Sequence, residues 1–323
     1  MKKVSVIIVN YYSREHISRL LNSFKNLNTS YDICINPLVI DTSLDFFPDE
    51  AIGSADTSPE IIRIPQNRGF AYSVNVGIKS AVARGTDYIW LLNPDVSFLS
   101  DPLSPLMEFL SQKTEDVILG SLILNETPDD QGNSRIWGFG GFVSSEGNVS
   151  MGSSEESINL DDLSSRPIIK SDYAPGCSMF FSADLINKVG YFPEYYFLYF
   201  EETEWCLLAG GLGVSIYNIP ESVIIHHSSP EKMKNPWRVY FYNRSELLFK
   251  SRNFPRISNR LIYGLRGLLE VVNQLYIYLM SPPELKSLFR AHLLARVDSF
   301  LIFVFKCKPS RIAGLSRRRL KLK

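Results

Sequence analysis

The chain has 323 residues, of which 45% are hydrophobic and 21% are charged. This length suits one large domain or two ordinary ones, and the composition is that of a globular protein with a sizeable core. The sequence contains neither an internal repeat nor a low-complexity tract, which argues against a repeat protein.

The formal net charge is zero, but the charged residues are unevenly distributed. Residues 232–323 carry 20 Lys and Arg against 4 Asp and Glu, net +16, whereas residues 1–231 carry 14 against 30, net −16. This asymmetry predicts an anionic partner for the C-terminal third, either a membrane surface or a nucleic acid. Because no DNA- or RNA-binding module signature accompanies the charge, nucleic acid is the less favoured partner.

The cysteines and the apolar stretches bear on the location of the protein. The four cysteines are scattered and show no Cys-x-x-Cys spacing, which indicates buried thiols in a reducing compartment. The first apolar run, Val4–Val9, is too short for a signal peptide. No uncharged apolar stretch reaches the roughly 18 residues of a membrane span, so no transmembrane helix is predicted.

Strands alternate with helices through the first half of the sequence. Apolar runs predict strands at 4–9, 38–41, 61–64 and 87–92, and helical spacing predicts helices at 13–27 and 71–84. This alternation argues for an α/β fold with a mostly parallel sheet and right-handed crossovers. Two of these strands end at or near a carboxylate, so Asp41 and Asp95 are expected at the same edge of the sheet.

The stretch Ile89–Val96 is the most informative part of the sequence. Its apolar residues predict a buried strand that ends at about Pro94, because proline cannot donate to a sheet ladder. Asp95 then lies at the carboxyl edge, where ligands bind in open α/β sheets. A carboxylate at that edge can hold Mg²⁺ or Mn²⁺, and the cation can hold phosphate oxygens. The alternative interpretation is a plain Asn-Pro-Asp turn.

The second half of the sequence is less regular. Strands are predicted at 117–124, 174–181, 214–219 and 223–228, and a short helix at 183–189. Residues 125–165 are rich in Gly, Ser, Asn and Asp, so we expect loops and a hairpin with 137–141 as its rigid part. A loop region of this length inside a compact domain is often functional.

Two polar clusters in this half are candidate functional groups. Glu201, Glu202 and Glu204 follow a strongly aromatic segment and lie in the first turn of a predicted helix. They are either an N-terminal helix cap, favoured by the helix dipole, or buried carboxylates with a chemical task. His226 and His227 end a predicted strand, where they are either structural or metal ligands.

From Trp237 onward, aromatic and basic residues alternate. Residues 257–280 and 285–305 have the pattern of amphipathic helices, and polar residues inside the first argue against a membrane span. Residues 306–323 contain eight basic side chains and no acid. This pattern is typical of an interfacial membrane anchor, and the alternative is a helical cap on the core with a solvated tail.

Five motifs, in order, resemble those of the large family-2 glycosyltransferases of the GT-A fold. Within that family the sequence is most similar to bacterial rhamnosyltransferases of O-antigen and capsular polysaccharide synthesis. The motifs are Ser5–Tyr11, Gln66–Ala71 with Asn75 and Gly77, Leu92–Val96, Phe197–Trp205, and Val223–His226. The resemblance implies a GT-A domain over residues 1–230, followed by a basic, amphipathic, helical region over residues 231–323 that contacts the membrane.

The resemblance also implies roles in donor binding. The nucleotide base and ribose would be held near Val9, Asn10, Tyr11 and Asp41, and the loop on the diphosphate side would be shaped by Asn67, Gly69 and Asn75. Asp95 matches the last acid of the Asp-x-Asp metal motif, and Asn93 stands where many relatives have the first. Binding of Mg²⁺ or Mn²⁺ would therefore depend on Asp95, the donor diphosphate and His226, with His227 as a substitute for His226.

For the transfer step, the resemblance places Glu202 at the position of the catalytic base, where Asp is commoner. Contacts to the acceptor are implied for Trp137, Glu201 and Trp205. Glu202 would take the proton of the attacking hydroxyl in a direct, inverting displacement, while the cation neutralises the departing diphosphate. We expect repulsion from Glu201 and Glu204 to raise the pKa of Glu202.

The implied reaction is transfer of L-rhamnose from dTDP-rhamnose to a polyprenyl-diphosphate-linked saccharide at the inner face of the bacterial cell membrane. One alternative is a galactofuranosyl-, glucosyl- or N-acetylhexosaminyltransferase that uses a UDP-sugar. The other is a non-catalytic family member that only binds, against which the presence of Asp95, Glu202 and His226 argues.

Overall fold

The computed structural model describes residues 1–29, 31–43, 59–153, 156–227, 235–254 and 260–305. These residues form two compact units. The first comprises residues 1–142, 149–192 and 205–228, and the second comprises residues 143–148, 193–204 and the described part of 229–323. The basic tail predicted at 306–323 lies outside the described residues, as does the start of the helix predicted at 257.

Thirteen strands are present in the described part of the chain. They are β1 (Lys2–Asn10), β2 (Ile33–Asp41), β3 (Glu60–Arg63), β4 (Tyr88–Leu92), β5 (Val96–Ser97), β6 (Val117–Asn125), β7 (Ser134–Gly138), β8 (Gly141–Val143), β9 (Val149–Met151), β10 (Ser157–Ile158), β11 (Ile169–Ser171), β12 (Ser178–Ser182) and β13 (Ser215–His226).

Eight α-helices occur within the same described ranges. They are α1 (Arg14–Ser23), α2 (Phe70–Ala83), α3 (Leu103–Ser111), α4 (Leu185–Val189), α5 (Glu201–Gly211), α6 (Pro236–Asn253), α7 (Arg260–Met280) and α8 (Lys286–Phe305). Of the helices described, none is long and apolar enough to cross a membrane.

The main sheet is mixed, with a parallel part that confirms the predicted α/β fold. Strands β3, β2, β1 and β4 run parallel in that order. Strand β12 inserts antiparallel between β4 and β6, and β13 runs parallel to β6. The register pairs Asn10 with Asp41 at the ends of β1 and β2, and it pairs Val96 of β5 with His226 of β13. Strand pairing therefore sets which polar residues meet at the sheet edge.

The core of the first unit forms around β1 and β4. Val6 and Ile8 of β1 pack with Trp90 of β4 and with helix α1 in one buried cluster. On α2, a Cβ added at Gly77 would lie 2.7 Å from the Ile7 side chain, so the absence of a side chain lets the helix approach β1 closely. Central strands buried in this way read as continuous apolar runs, which is why the sequence predicts them well.

The core of the second unit forms between α6 and α8. Tyr240 and Phe241 of α6 cluster with Ala291 and Ala295 of α8. The apolar spacing predicts α7 and α8 as separate helices, whereas α6 falls only within the general prediction of a helical region over residues 231–323. Arg244 and Ser245 are buried on α6 beside its aromatic residues, and two polar residues at inward positions obscure the helical pattern.

Candidate functional site

A buried polar network joins the ends of β1 and β2. Asn10 Nδ2 donates to Asp41 Oδ1 at 2.7 Å and to Ser43 Oγ at 3.1 Å. The Ser43 amide donates to the same Asp41 oxygen at 3.0 Å, and the Tyr12 amide donates to Ser43 Oγ at 2.9 Å. These bonds hold the turn after β1, where Tyr12 has a φ of 54°. Ser43 was not predicted as part of the site, because its role arises from the register of the two strands.

The residues that flank Asn10 differ in exposure. Val9 is buried at the end of β1, whereas Tyr11 is half-buried and packs edge-on against the exposed Tyr12 at 4.8 Å between ring centroids. Aromatic faces of this kind can stack on a planar base. The predicted donor residues Val9, Asn10, Tyr11 and Asp41 therefore form one contiguous group.

The loop before α2 is closed by its own polar groups. The Gly69 amide donates to Asn67 Oδ1 at 2.9 Å, and Ser73 Oγ donates to the Gly69 carbonyl at 2.9 Å. Gly69 has a φ of 105°, a conformation that side-chain-bearing residues rarely adopt. The Arg68 guanidinium lies over the Tyr72 ring at 3.7 Å from its centroid. The loop is thus pre-shaped and carries a cation next to its glycine.

Asn75 and Trp205 are both built into the core around Phe192. Asn75 Nδ2 donates to the Phe192 carbonyl at 2.8 Å, and the Phe192 amide donates back to Asn75 Oδ1 at 3.0 Å. The Trp205 ring stacks on Phe192 at 4.6 Å, and its indole N–H donates to the Gly190 carbonyl at 2.9 Å. Trp205 is 0% exposed, so the acceptor contact predicted for it does not fit this placement.

Asp95, His226 and Trp137 meet beyond the end of β4. Asp95 Oδ1 lies 3.3 Å from His226 Nε2, and the His226 ring stands edge-on to Trp137 at 4.8 Å between centroids. His226 is buried, and its Nδ1 has no hydrogen-bond partner among the residues that the structure describes. A buried ring nitrogen without a partner is costly unless something else occupies it.

The neighbouring histidine is engaged elsewhere. His227 Nε2 lies 2.7 Å from Ser97 Oγ, and its Nδ1 lies 2.9 Å from Glu126 Oε1. The hydrogen bond to His227 holds the pKa of Glu126 below its ordinary value. The His227 main-chain amide donates to the Asp95 carbonyl at 2.8 Å. The His226 ring lies beside the Asp95 carboxylate, and the role of His227 as its substitute stays a prediction.

The pair of Asp95 and His226 fits part of a divalent-cation site. Its 3.3 Å separation is close to the ~3 Å between adjacent ligands of an octahedral ion. Among the described residues there is no group of three or more His, Cys, Asp and Glu side chains that could hold a metal ion. Asn93 is half-buried, and its amide donates to the Cys177 carbonyl at 3.3 Å. Further ligands would have to come from substrate oxygens and water, as is usual for Mg²⁺ bound with phosphates.

In the second unit, the chain enters α5 through an unusual backbone. Phe197, Tyr199 and Phe200 have φ angles of 71°, 66° and 71°. Positive φ at non-glycine residues costs on the order of 1–3 kcal/mol each and persists only where the surroundings impose it. Such strain concentrates at functional segments, and here it directly precedes Glu201.

Helix α6 restrains this strained segment. Arg244 is fully buried and donates to the carbonyls of Tyr196 and Tyr195 at 2.7 and 3.1 Å. Ser245 Oγ donates to the Leu198 carbonyl at 2.8 Å. Neither Arg244 nor Ser245 is predictable as a contributor from the sequence, because their partners are main-chain carbonyls that no side-chain motif reveals.

Glu201 and Glu202 form a close acidic pair at the start of α5. Glu201 is buried and Glu202 is partly exposed, and Oε2 of each has no hydrogen-bond partner within the described residues. Burial raises the pKa of Glu202, whereas burial and the Glu202 charge together raise that of Glu201 well above its ordinary value. The upward direction for Glu202 was predicted, but loss of solvent, rather than charge repulsion, is the main cause.

Glu204, in contrast to Glu201 and Glu202, is held by several side-chain hydrogen bonds. Its two carboxylate oxygens accept hydrogen bonds from the hydroxyls of Tyr195 and Tyr196. Arg252 Nε and Asn253 Nδ2 also donate to it, at 3.4 and 3.2 Å. Burial, reinforced by the Glu204 charge, raises the pKa of both tyrosines. Both carboxylate oxygens of Glu204 are thus hydrogen-bonded by residues of α6 and of the loop before α5.

Comparison with known families identifies the class of this protein. Residues 5–186, more than half of the chain, match the family described as Glycosyl transferase family 2. The protein is a family-2 glycosyltransferase. The resemblance inferred from its motifs is therefore confirmed at the level of the family and of the enzyme class.

Two curated relatives align with most of this glycosyltransferase. It is 24% identical over 275 residues to the low-salt glycan biosynthesis hexosyltransferase Agl10 of Haloferax volcanii, covering 82% of this chain and 81% of the relative. It is 19% identical over 260 residues to the dTDP-rhamnosyl transferase RfbF of Shigella flexneri, covering 77% and 80%.

Solved structures show that the glycosyltransferase has the GT-A fold. It superposes on GalNAc-T7, solved with UDP, GalNAc and Mn²⁺, with a TM-score of 0.53 and 15% identity over 76% of this chain. The chain spans 51% of the GalNAc-T7 chain, about half its length. It also superposes on the mannosyltransferase PcManGT of Pyrobaculum calidifontis, solved with GDP-Man and Mn²⁺, with a TM-score of 0.50 and 12% identity, covering 98% of this chain and 75% of that one.

Proposed function

We propose that this glycosyltransferase moves a sugar from a nucleotide-sugar donor to an acceptor hydroxyl with inversion at the anomeric carbon. The observation that carries the proposal is the contact between Asp95 and the buried His226 at the edge of a GT-A sheet. In this proposal the base and ribose lie against the group around Asn10 and Asp41, and the diphosphate lies toward Asn67 and Gly69.

Glu202 is the proposed general base. Its Oε2 has no hydrogen-bond partner among the described residues, so it is available to accept the proton of the attacking hydroxyl. A pKa raised by burial makes the carboxylate a stronger base, which increases the driving force for proton transfer. Inversion by direct displacement needs only one such base, and no protein nucleophile is required.

Asp95 and His226 are the proposed ligands of Mg²⁺ or Mn²⁺. A bound cation would supply charge neutralisation at the leaving diphosphate. Support comes from the 3.3 Å approach of His226 Nε2 to Asp95 Oδ1. It also comes from the solved structures of GalNAc-T7 and PcManGT, both of which contain Mn²⁺.

The donor that we propose is dTDP-L-rhamnose, and the acceptor is a polyprenyl-diphosphate-linked saccharide at the inner face of the cell membrane. The similarity to RfbF, a dTDP-rhamnosyl transferase, supports the donor, and the net charge of +16 on residues 232–323 supports a membrane-bound acceptor. The higher identity to Agl10, a hexosyltransferase, favours a second candidate, transfer of another hexose. We propose a UDP-sugar as the donor in that case, since GalNAc-T7 was solved with UDP.

Thermal unfolding with a panel of nucleotide sugars tests this proposal. With Mn²⁺ present, dTDP-L-rhamnose is expected to raise Tm most, since a ligand at 100 times its Kd stabilises the folded state by about 2.7 kcal/mol. Free dTDP serves as the control for the nucleotide alone. A larger shift with a UDP-hexose would select the second candidate, and no shift with any nucleotide sugar would refute donor binding.

A further inference from the structure

One face of α7 is apolar and exposed over three turns. Leu268, Leu269, Val272, Tyr276, Leu279 and Met280 are each between 52% and 70% exposed. Their spacing of one, three or four residues places them on the same side of the helix. We call these six residues the α7 apolar face. Single exposed hydrophobic residues are ordinary, but a continuous apolar strip of this size marks an interaction surface.

The other side of α7 is already occupied by α8. A Cβ added at Gly267 would lie 3.2 Å from the Phe300 ring, so the two helices are in close contact. Glu270 and Arg296 form an ion pair at 2.8 Å across the same pair of helices. This packing fixes the rotation of α7 about its axis, and it leaves the α7 apolar face directed away from α8.

We propose that the α7 apolar face docks on the surface of an anionic lipid bilayer, with the helix lying in the plane of the interface. This proposal rests on the proposed function in one respect: the docked surface would bring the enzyme to its membrane-bound acceptor. Residues 232–323 carry a net charge of +16, which complements a negatively charged lipid surface. An amphipathic helix binds such a surface through its apolar side chains together with nearby basic residues.

The same charge argues against a second copy of the chain as the occupant. Two surfaces that each belong to a region of net charge +16 would repel one another on approach. No such penalty applies to a lipid headgroup region of opposite sign. The charge of the C-terminal third therefore favours a lipid bilayer over a second copy of the chain as the partner of the α7 apolar face.

Sedimentation of the full chain with lipid vesicles tests the proposal. Vesicles of phosphatidylglycerol and phosphatidylcholine are compared with vesicles of phosphatidylcholine alone, with no nucleotide sugar present. The chain is expected to bind the anionic vesicles, and Leu269→Glu with Leu279→Glu is expected to lower the bound fraction at least about tenfold. The matched control, Leu208→Glu with Leu212→Glu, alters two exposed leucines of the first unit and is expected to bind as the parent does.

Two further measurements separate the outcomes. Both double variants are expected to hydrolyse a soluble nucleotide sugar at the parental rate, so loss of vesicle binding and loss of enzyme function are scored separately. Should the charged variant unfold, Leu269→Gln with Leu279→Gln tests the same face. Parental vesicle binding by the folded α7 variants would overturn the proposal, as would a dimer in light scattering that these substitutions abolish.

Discussion

At the scale of single residues, Glu202 is the side chain that we propose as the acceptor of the proton in the transfer step. Glu202→Gln keeps the size of the side chain but removes the base, so kcat is expected to fall by roughly 10²–10⁴. The donor KM should change little, because the substitution leaves the residues near Asn10 intact. Steady-state kinetics with the best donor of the thermal panel measures both quantities.

Glu204→Gln is the matched control for that substitution. Glu204 is bonded to Tyr195, Tyr196, Arg252 and Asn253, so its amide variant is expected to lower stability more than kcat. If Glu202→Gln turned over as fast as the parent, the base would have to be sought elsewhere in the chain.

The raised pKa of Glu202 predicts the pH dependence of the rate. Because burial favours the protonated form, the base form is populated only above a pKa that exceeds the ordinary 4.5. The acidic limb of kcat/KM is therefore expected to rise with pH, with a midpoint above 4.5. A pH–rate profile of the parent gives this midpoint, and a limb centred at or below the ordinary value would contradict the assignment.

The free energy of unfolding should fall with rising pH over the range in which the rate rises. The folded Glu201–Glu202 pair holds protons that the unfolded chain has already released, because both folded pKa values are raised. The contribution of the pair to stability is thus complete below the unfolded pKa and is lost as pH rises through the folded values. Urea unfolding of the parent and of Glu201→Gln across this range measures that loss.

The metal assignment is also a prediction about individual side chains. Asp95→Asn and His226→Ala are expected to raise the Mn²⁺ concentration needed for half-maximal rate by at least about tenfold. His227→Ala is the adjacent control, since that ring contacts Ser97 and Glu126. Equal metal titrations for the His226 and His227 variants would remove His226 from the site.

The contact between Asp95 and His226 was within reach of the sequence, whereas the placement of Trp205 was not. Each residue of the pair ends an apolar strand, so the rule that strand ends share an edge brings them together. Trp205 follows the acids at a spacing that looks functional, but its stacking on Phe192 depends on a fold that no local pattern encodes.

At the scale of elements, α6 positions the acids through main-chain contacts. Ser245→Ala removes the hydrogen bond to the Leu198 carbonyl and is expected to cost about 1 kcal/mol of stability. It should also lower kcat, because the segment before Glu201 loses a restraint on its strained backbone. Urea unfolding and steady-state kinetics on the same preparation measure the two effects.

Ser251→Ala is the control on the same helix. Its hydroxyl donates to the Leu248 carbonyl one turn away and does not contact the loop before the acids. It is expected to leave kcat at the parental value. A Ser245→Ala enzyme with an equally unchanged kcat would show that its hydrogen bond has no part in positioning the acids.

Elements with a single, uninterrupted pattern were the ones predicted correctly from the sequence. β4 and the inner part of β1 are apolar runs, and α7 has the apolar spacing of an amphipathic helix. β13 was predicted as two strands because Pro220 interrupts its apolar run. The structure keeps one strand and absorbs the proline in a register shift between Ile219 and Val223, since proline is tolerated at such irregularities.

At the scale of the whole molecule, opposite charges are segregated along the chain, and this predicts a salt-sensitive membrane interaction. Deleting residues 306–323 removes eight basic residues and no acid, so binding to anionic vesicles is expected to weaken and to lose much of its dependence on ionic strength. Vesicle sedimentation at two salt concentrations compares the deletion variant with the full chain. Unchanged binding would assign the interaction to the helices alone.

The hydrogen bonds from α6 to the loop before Glu201 have a practical consequence for anyone who shortens this enzyme. A fragment ended at residue 230 would keep both acids and the whole of β13. It would nevertheless discard Arg244 and Ser245, so the twisted main chain at Phe197–Phe200 would be free to relax. A minimal active version therefore has to extend at least through Asn253, which also preserves the partner of the Glu204 carboxylate.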